Sequence, residues 1–361
     1  MFGLESIGCE VFFLEEIAPA ASVDGEGRPV RFSASVNYEF FKSVVAEFDL
    51  SGRAALVFDG GQETLGAPLA DIERVCGEAD LLVNISGHLS LPRLFEKFRR
   101  RVFVDLDPGY TQFWQSEGIP GARLEGHHVH FTVGANIGRS VCPIPVCGLD
   151  WVPVRQPVVL DHWPPMDPLP RGSFTTVASW RGSFGPVKIQ GREYGPKARG
   201  FRRYLEMPKL TGAPFEIVLD AHPSDQADLD SLASAGWRIL RPQATVPDLV
   251  SFKRYVQGSM AEFSVAQEVY VGTRSGWFSD RTVRYLASGR PAIVEDTGFG
   301  DHLETGTGLL PFNTNEEAVE AVERVRRDYR LHSLAARKIA EEFFDARKVL
   351  PAFLDRAGGG R

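Results

Sequence analysis

The stretch VYVGTRSGWFSDRTVRYLASGRPAIVEDTG, residues 269–298, decides how the rest of the chain is interpreted. It opens with an apolar, β-rich run at 269–271 and continues through a glycine- and serine-rich segment, which predicts a strand that leads into a loop. Ser279 then suits a helix N-cap, because its hydroxyl can accept a hydrogen bond from an otherwise unpaired amide, and apolar residues follow at helical spacing. Gly289 ends this helix, and a new apolar strand begins at Ala292.

The start of this helix is predicted to bind an anion. Its first-turn amides and the positive end of its dipole lie beyond the tip of the preceding strand, where negative charge is stabilised. Arg274 and Arg281 flank this end, and a guanidinium matches phosphate oxygens better than an ammonium does. The alternative is an ordinary crossover between helix and strand with solvated arginines.

The segment Ala-Ser-Gly-Arg-Pro at 287–291, followed by an apolar strand, resembles the Ala-x-Gly-x-Pro-Val-Val segment of GT-B glycosyltransferases of the family 1 and family 4 type. In those enzymes a glycine-rich loop and this helix hold the nucleotide-sugar donor on the carboxy-terminal domain. The resemblance implies an α/β fold with two Rossmann-like domains facing a cleft. The chain departs from the pattern at Arg284, where retaining enzymes of that type usually carry a glutamate that binds the donor ribose.

Composition bounds the function class. The 361 residues carry a formal charge of −7, which argues against non-specific nucleic-acid binding, and no nucleic-acid partner is expected. The four cysteines form no CxxC pair, so neither a zinc ribbon nor a disulfide framework is indicated. No apolar run reaches the length of a membrane span, and we expect a cytoplasmic location.

The chain divides into three predicted parts. Residues 1–155 are predicted to form an amino-terminal Rossmann-like domain for the acceptor, and residues 156–330 a donor-binding domain. A proline-rich segment at 146–170 marks the boundary between them. The helices at 331–361 are expected to pack back across the domains. Residues 2–8 and the apolar run at 9–14 are typical of a helix end followed by a strand. In sheets of the GT-B type this pattern is normally the second half of a βαβ unit, so the resemblance implies an amino-terminal domain that lacks its first strand.

Polar residues follow the predicted strands of the first domain, where open α/β sheets place ligands. If the enzyme inverts, it needs a general base, and the candidates are Asp59, Asp105, Asp107 and His128. Asp105 and Asp107 also form a DxD sequence, which holds a divalent cation in GT-A glycosyltransferases, or equally a turn that caps the following helix. The GT-B resemblance implies donor binding through helix amides, so no metal and no cofactor are expected beyond the donor substrate.

The second domain is expected to supply the donor site. Arg181 and Lys197 resemble the basic pair that GT-B enzymes commonly place against the donor phosphates, although Lys188 is an alternative to them. Residues 183–196 lack a regular pattern, so a flexible insertion is the other interpretation of this segment. Glu262 is a candidate for hydrogen bonds to sugar or ribose hydroxyls. The other predicted donor-binding residues are Arg274, Ser275, Gly276, Ser279, Asp280, Arg281, Thr282, Asp296 and Gly298.

The predicted reaction is the transfer of a sugar from a nucleotide-diphosphate donor to an acceptor that the sequence does not identify. Two alternatives stay open at this point: a nucleotide-sugar epimerase-like enzyme on the same fold, or a catalytically silent protein that binds a sugar or nucleotide.

Overall fold

A computed structural model describes residues 1–167, 172–182, 184–189 and 191–358. Helices and strands alternate along this part of the chain, which confirms the predicted α/β class. The strands are β1 (Phe13–Ile17), β2 (Ala54–Phe58), β3 (Glu63–Leu65), β4 (Leu82–Ile85), β5 (Arg101–Asp105), β6 (Val129–Thr132), β7 (Trp151–Pro153), β8 (Phe174–Ser179), β9 (Val187–Ile189), β10 (Arg192–Tyr194), β11 (Phe215–Asp220), β12 (Trp237–Leu240), β13 (Ala261–Ser264), β14 (Ala292–Glu295) and β15 (Leu309–Phe312). The helices are α1 (Phe2–Glu5), α2 (Val36–Glu47), α3 (Leu69–Glu78), α4 (Pro92–Phe95), α5 (Tyr110–Ser116), α6 (Lys197–Phe201), α7 (Met207–Thr211), α8 (Gln226–Ala235), α9 (Pro242–Thr245), α10 (Leu249–Gln257), α11 (Glu268–Gly272), α12 (Asp280–Ala287), α13 (Asn315–Arg327), α14 (Tyr329–Phe343) and α15 (Ala346–Ala357).

These elements form two compact units. Unit 1 comprises Met1–Leu106, Ile119–Phe131 and Leu350–Arg361, and unit 2 comprises Asp107–Gly118 and Thr132–Val349. Each unit is therefore assembled from segments that are separated in the sequence.

Unit 2 contains a six-stranded sheet in the order β12-β11-β8-β13-β14-β15. Every neighbouring pair in it is parallel. The chain moves outward from β8 to β11 and β12, and then returns to place β13 on the other side of β8. This doubly wound order leaves a topological switch point between β8 and β13, and ligands of open parallel sheets bind outside the carboxyl ends of the strands at such a point.

Apolar clusters cover the sheet of unit 2. One includes Phe174 of β8 and Phe263 of β13, and another includes Leu286 of α12 and Ile339 of α14. β13 and β14 are buried at every position. Strands that are covered on both faces are expected to have short apolar sequences, and β14 begins with three apolar residues.

Unit 1 contains two smaller sheets. In the first, β1 and β2 are parallel and β3 runs antiparallel to β2. In the second, β4 and β5 are parallel, and residues 129–131 of β6 lie next to β5 on its other side. β1 and β4 are edge strands, and both are incompletely covered: Phe13 of β1 is 41% exposed and Ile85 of β4 is 48% exposed.

The predicted strand at residues 269–271 is wrong, because these residues lie in α11. The backbone carbonyl of Val269 accepts a hydrogen bond from the Thr273 hydroxyl at 2.6 Å, and the Tyr270 ring stacks on Trp277 with centroids 4.4 Å apart. The sheet position belongs to β13, which precedes α11 in the chain. Tertiary packing has overridden a local β propensity here.

Two other segments differ from expectation. The first strand begins at Phe13 rather than at residue 9, and β9 and β10 pair as an antiparallel hairpin within the region that lacks a regular sequence pattern. Of the proline-rich segment, residues 168–170 lie outside the described residues, as do 183 and 190 of the hairpin region.

No helix in the described part of the chain combines the length and apolar composition needed to cross a membrane.

Candidate functional site

The switch point of unit 2 adjoins a small crevice. β8 ends at Ser179 and β13 at Ser264, and the chain after β14 closes a further side. The lining includes hydroxyl-bearing, acidic and aromatic residues: Ser264, Ser279, Thr282, Thr297, Glu295 and Trp277. Hydroxyl groups can donate to or accept from a ligand oxygen, so the crevice offers polar contacts at the edge where the topology predicts a ligand.

Helix α12 begins at this crevice, and its start follows the sequence prediction. The Ser279 hydroxyl accepts a hydrogen bond from the Arg281 amide at 3.2 Å, so Ser279 is the N-cap. The helix is followed by Gly289, whose φ of +68° lies in the left-handed region that glycine favours. Because Ser279 and Thr282 line the crevice, the positive end of the helix dipole lies beside it.

The Arg281 side chain is directed into the protein at the switch point. Its Nε donates to Glu262 Oε1 at 2.7 Å, one Nη to the Val177 carbonyl at 2.7 Å and the other to Ser264 Oγ at 2.6 Å. These bonds tie α12 to β8 and β13. The arginine therefore fixes the geometry of the strand ends, and its predicted contact with phosphate stays a prediction.

Glu262 is buried completely. Its Oε1 pairs with Arg281, whereas Oε2 has no hydrogen-bond partner among the described residues. A carboxylate that is removed from water is stable only beside compensating positive charge. Glu262 therefore compensates the charge of Arg281. Its side chain has no solvent exposure, so it is not accessible to accept a hydrogen bond from a sugar hydroxyl in this structure.

Glu295 is a second buried carboxylate, which the sequence prediction missed. Its Oε2 accepts from the Ala266 amide at 3.1 Å, and its Oε1 accepts from Arg203 and, at 3.3 Å, from the Tyr204 hydroxyl. Burial raises the pKa of Glu295, and Arg203 opposes that shift. The available sequence signal was an acidic residue at the end of an apolar strand, but its arginine partner is 92 residues away.

Lys197 opens α6 and is half-buried. Burial first and the charge of Arg281 second lower the pKa of its ammonium to about 7, while Glu262 and Glu295 act in the opposite direction. Among the described residues no carboxylate lies within the 4.0 Å that defines an ion pair with it. Lys197 is therefore an amine without a carboxylate partner, and it interacts electrostatically with the two buried carboxylates.

The turns before α12 and after β14 are joined by Asn136, which the sequence prediction also missed. Its side-chain amide donates to the Arg274 carbonyl at 2.9 Å and to the Gly298 carbonyl at 3.3 Å, and its backbone amide donates to the Ser275 carbonyl at 3.0 Å. The Gly276 amide donates to the Thr297 carbonyl at 2.8 Å. Gly298 must be a glycine here, since a Cβ would lie 2.7 Å from the Asn136 side chain.

Asp296 and Arg274 lie in the same pair of turns. Asp296 Oδ1 accepts from the Gly298 amide at 2.8 Å. The Arg274 guanidinium lies 3.7 Å from a carboxylate oxygen of Asp296 and 3.7 Å from one of Asp301, and it is half exposed. Asp296 therefore stabilises its own turn, and Arg274 forms two long ion pairs.

Two other arginines of unit 2 form ion pairs. Arg181 binds Asp225 at 2.8 Å. Arg284, at the position of the usual family glutamate, binds Asp280 one turn earlier and lies 6.0 Å from the Trp163 ring centroid. The structure does not bring Arg181 and Arg284 into the crevice lining.

The candidate bases fall in different units. Asp59 follows β2, Asp105 ends β5 without solvent exposure, and His128 is exposed with Nδ1 3.1 Å from the Arg101 amide nitrogen; all three belong to unit 1. Asp107 belongs to unit 2, where its Oδ1 accepts from the Tyr270 hydroxyl at 2.9 Å. Their catalytic roles stay predictions.

No set of three or more His, Cys, Asp or Glu side chains is placed to hold a metal ion within the described ranges.

Comparison of sequences relates only a short stretch of the chain to known proteins. No family model matches the chain. A 120-residue stretch is 30% identical to phosphoribosylamine–glycine ligase of Streptococcus pyogenes, covering 32% of this chain and 26% of that protein. The chain therefore spans about a quarter of the length of the curated relatives it matches.

Comparison of structures identifies the fold. HepE of Anabaena, solved with UDP and glucose, is similar with a TM-score of 0.55, 14% identity and 89% of each chain covered. An α-glucosyltransferase solved with UDP has a TM-score of 0.53 and 11% identity, with 96% of this chain and 99% of that chain covered. Sucrose-phosphate synthase of Thermosynechococcus elongatus has a TM-score of 0.50 and 11% identity, with 96% and 100% covered. The chain has a GT-B glycosyltransferase-like fold, as the resemblance in the sequence implies.

Proposed function

We propose that this chain is a glycosyltransferase whose nucleotide-diphosphate sugar binds with its diphosphate at the switch point of unit 2. The observation that carries the proposal is Lys197, a half-buried amine without a carboxylate partner that interacts electrostatically with Arg281, Glu262 and Glu295. A diphosphate would supply the missing negative charge, and the first turn of α12 would add helix amides.

The fold supports this class of reaction, and it also indicates which nucleotide to test first. The similar HepE and α-glucosyltransferase structures contain UDP, and one HepE structure contains UDP-glucose. Uridine diphosphate is therefore the first ligand to titrate. Fold alone does not assign a ligand, so the titration decides.

The residues at the crevice would act on the leaving group. When the bond between the sugar and the diphosphate breaks, negative charge builds up on the diphosphate, and groups already aimed at that charge lower the barrier. Lys197 would neutralise it directly, and the hydroxyls of Ser279 and Thr282 would donate hydrogen bonds. Arg281 would act indirectly, because its donors already hold Glu262 and Ser264 in place.

An acceptor must also be activated if the reaction inverts the sugar configuration. Asp59, Asp105, Asp107 and His128 remain the proposed candidates for the general base. Asp107 differs from the other three in belonging to the same unit as the proposed diphosphate site.

Calorimetric titration with UDP, GDP and ADP tests the proposal. We expect UDP to bind, and the substitution Lys197→Met to weaken its binding by roughly 10- to 100-fold, the range for hydrogen bonds to charged groups. Lys209→Met is the matched control, because Lys209 pairs with Glu206 at 3.0 Å on an exposed surface of α7. Failure of all three nucleotides to bind would contradict the proposed function, and equal affinity in the Lys197 and Lys209 variants would remove Lys197 from the site.

A further inference from the structure

The charged groups around Lys197 form pairs that leave it out. Arg281 is paired with Glu262 at 2.7 Å, and Arg203 is paired with Glu295. On the side of α11, Glu268 is paired with Arg199 at 3.3 Å and also accepts from the Gly195 amide. The two buried carboxylates, Glu262 and Glu295, therefore each have their own arginine, whereas Arg199 also lies 4.0 Å from the exposed Glu193.

The two buried pairs decide the charge around Lys197. In each of them the arginine and its carboxylate sum to zero, so a protonated Lys197 would add one positive charge that these pairs do not compensate. An unpaired charge in a half-buried place loses hydration without gaining an ion pair, which favours the neutral amine. A bound diphosphate favours the protonated ammonium instead, because its oxygens supply a negatively charged partner for Lys197.

We propose that Lys197 is largely neutral in the free protein and takes up a proton when a diphosphate binds at the switch point, so that nucleotide binding is coupled to proton uptake. The inference rests on the proposed function, since it takes a nucleoside diphosphate as the ligand. The charged groups that act electrostatically on Lys197 are Arg281 of α12, Glu262 of β13 and Glu295 of β14, and Arg203 after α6 is the partner of Glu295.

The direction of the pH dependence follows. Burial lowers the pKa of Lys197 to about 7 in the free protein, and an adjacent anion raises the pKa of an ammonium. Below that pKa the proton is already bound, and nucleotide affinity gains nothing from further acid. Above it, affinity falls as pH rises, by at most about tenfold per pH unit for a single proton.

Calorimetry with UDP at about pH 8 in two buffers of different ionisation enthalpy measures this proton directly. The terminal phosphate loses its last proton near pH 6, so the ligand itself contributes almost nothing at this pH. We expect the wild-type protein to take up close to one proton for each UDP bound. Lys197→Arg should bind UDP without proton uptake, because a guanidinium is charged in both states, while Lys209→Arg should keep the wild-type value.

The outcomes separate this inference from the proposed function. UDP binding by the wild-type protein without proton uptake overturns the inference and leaves the proposed function standing. Uptake that persists unchanged in Lys197→Arg and in Lys197→Met also overturns it, because the proton would then belong to another group. If UDP does not bind to the wild-type protein, both fall together.

Discussion

The central strands of unit 2 and the edge strands of unit 1 differ in how completely they are covered. In unit 2, β13 and β14 have strand neighbours on both sides and are buried at every position. In unit 1, β1 and β4 are edge strands of separate small sheets and are only partly buried. A covered sheet can keep Glu262 and Glu295 away from water beside their arginines, which a half-exposed edge cannot do.

This difference explains why the proposed diphosphate site belongs to unit 2. Buried ion pairs contribute little net stability, because desolvation offsets their attraction, but each partner becomes indispensable to the other. At the carboxyl ends of β13 and β14 these pairs fix the strand ends and leave Lys197 without a carboxylate.

The largest expected effect comes from breaking the buried pair. Arg281→Met leaves Glu262 buried without compensation and should lower the free energy of unfolding in urea by about 3 to 5 kcal/mol. Arg74→Met is the matched control, since Arg74 pairs with Glu78 at 2.8 Å and the two side chains are 59% and 65% exposed, and it should cost no more than about 1 kcal/mol.

A double variant sharpens this test. Replacing Arg281 and Glu262 together by methionine removes both charges, so most of the loss should be recovered. A single Arg281→Met variant as stable as the wild-type protein would show that the buried pair does not hold the strand ends.

A smaller effect is expected when an isoleucine is replaced by alanine in a strand of each unit. Ile293→Ala in β14 removes a side chain with no solvent exposure and should lower the free energy of unfolding by about 2 to 5 kcal/mol. Ile85→Ala in β4 removes one that is 48% exposed, and we expect a loss of about 1 kcal/mol or less. Equal losses in urea unfolding would mean that β4 is covered as well as β14, contrary to the contrast between the units.

The parts of the fold that depend on local signals could be predicted from the sequence. The N-cap at Ser279, the helix after it and the apolar strand β14 are encoded within a few residues of one another. The strand predicted at 269–271 is wrong because its β-rich residues pack as a helix against Trp277, a tertiary contact that no local pattern reveals.

The site was less accessible to sequence reasoning. The sequence predicts Lys197, Arg281 and Glu262 as donor-binding residues, and the structure brings them into one cluster. Glu295 with Arg203 and Asn136 with Arg274 were missed, because these partners are 92 and 138 residues apart in the chain. The predicted donor contacts of Arg181, Arg274 and Asp296 remain predictions, as do the four candidate bases.

A crystal structure of the chain with UDP tests the central claim most directly. The account predicts that the diphosphate lies at the start of α12, with a phosphate oxygen within about 3.2 Å of Lys197 Nζ, the reach of a hydrogen bond. It also predicts that the pair between Arg281 and Glu262 stays intact in the complex. A diphosphate that binds away from the carboxyl ends of β8 and β13 and makes no contact with Lys197 would contradict the account.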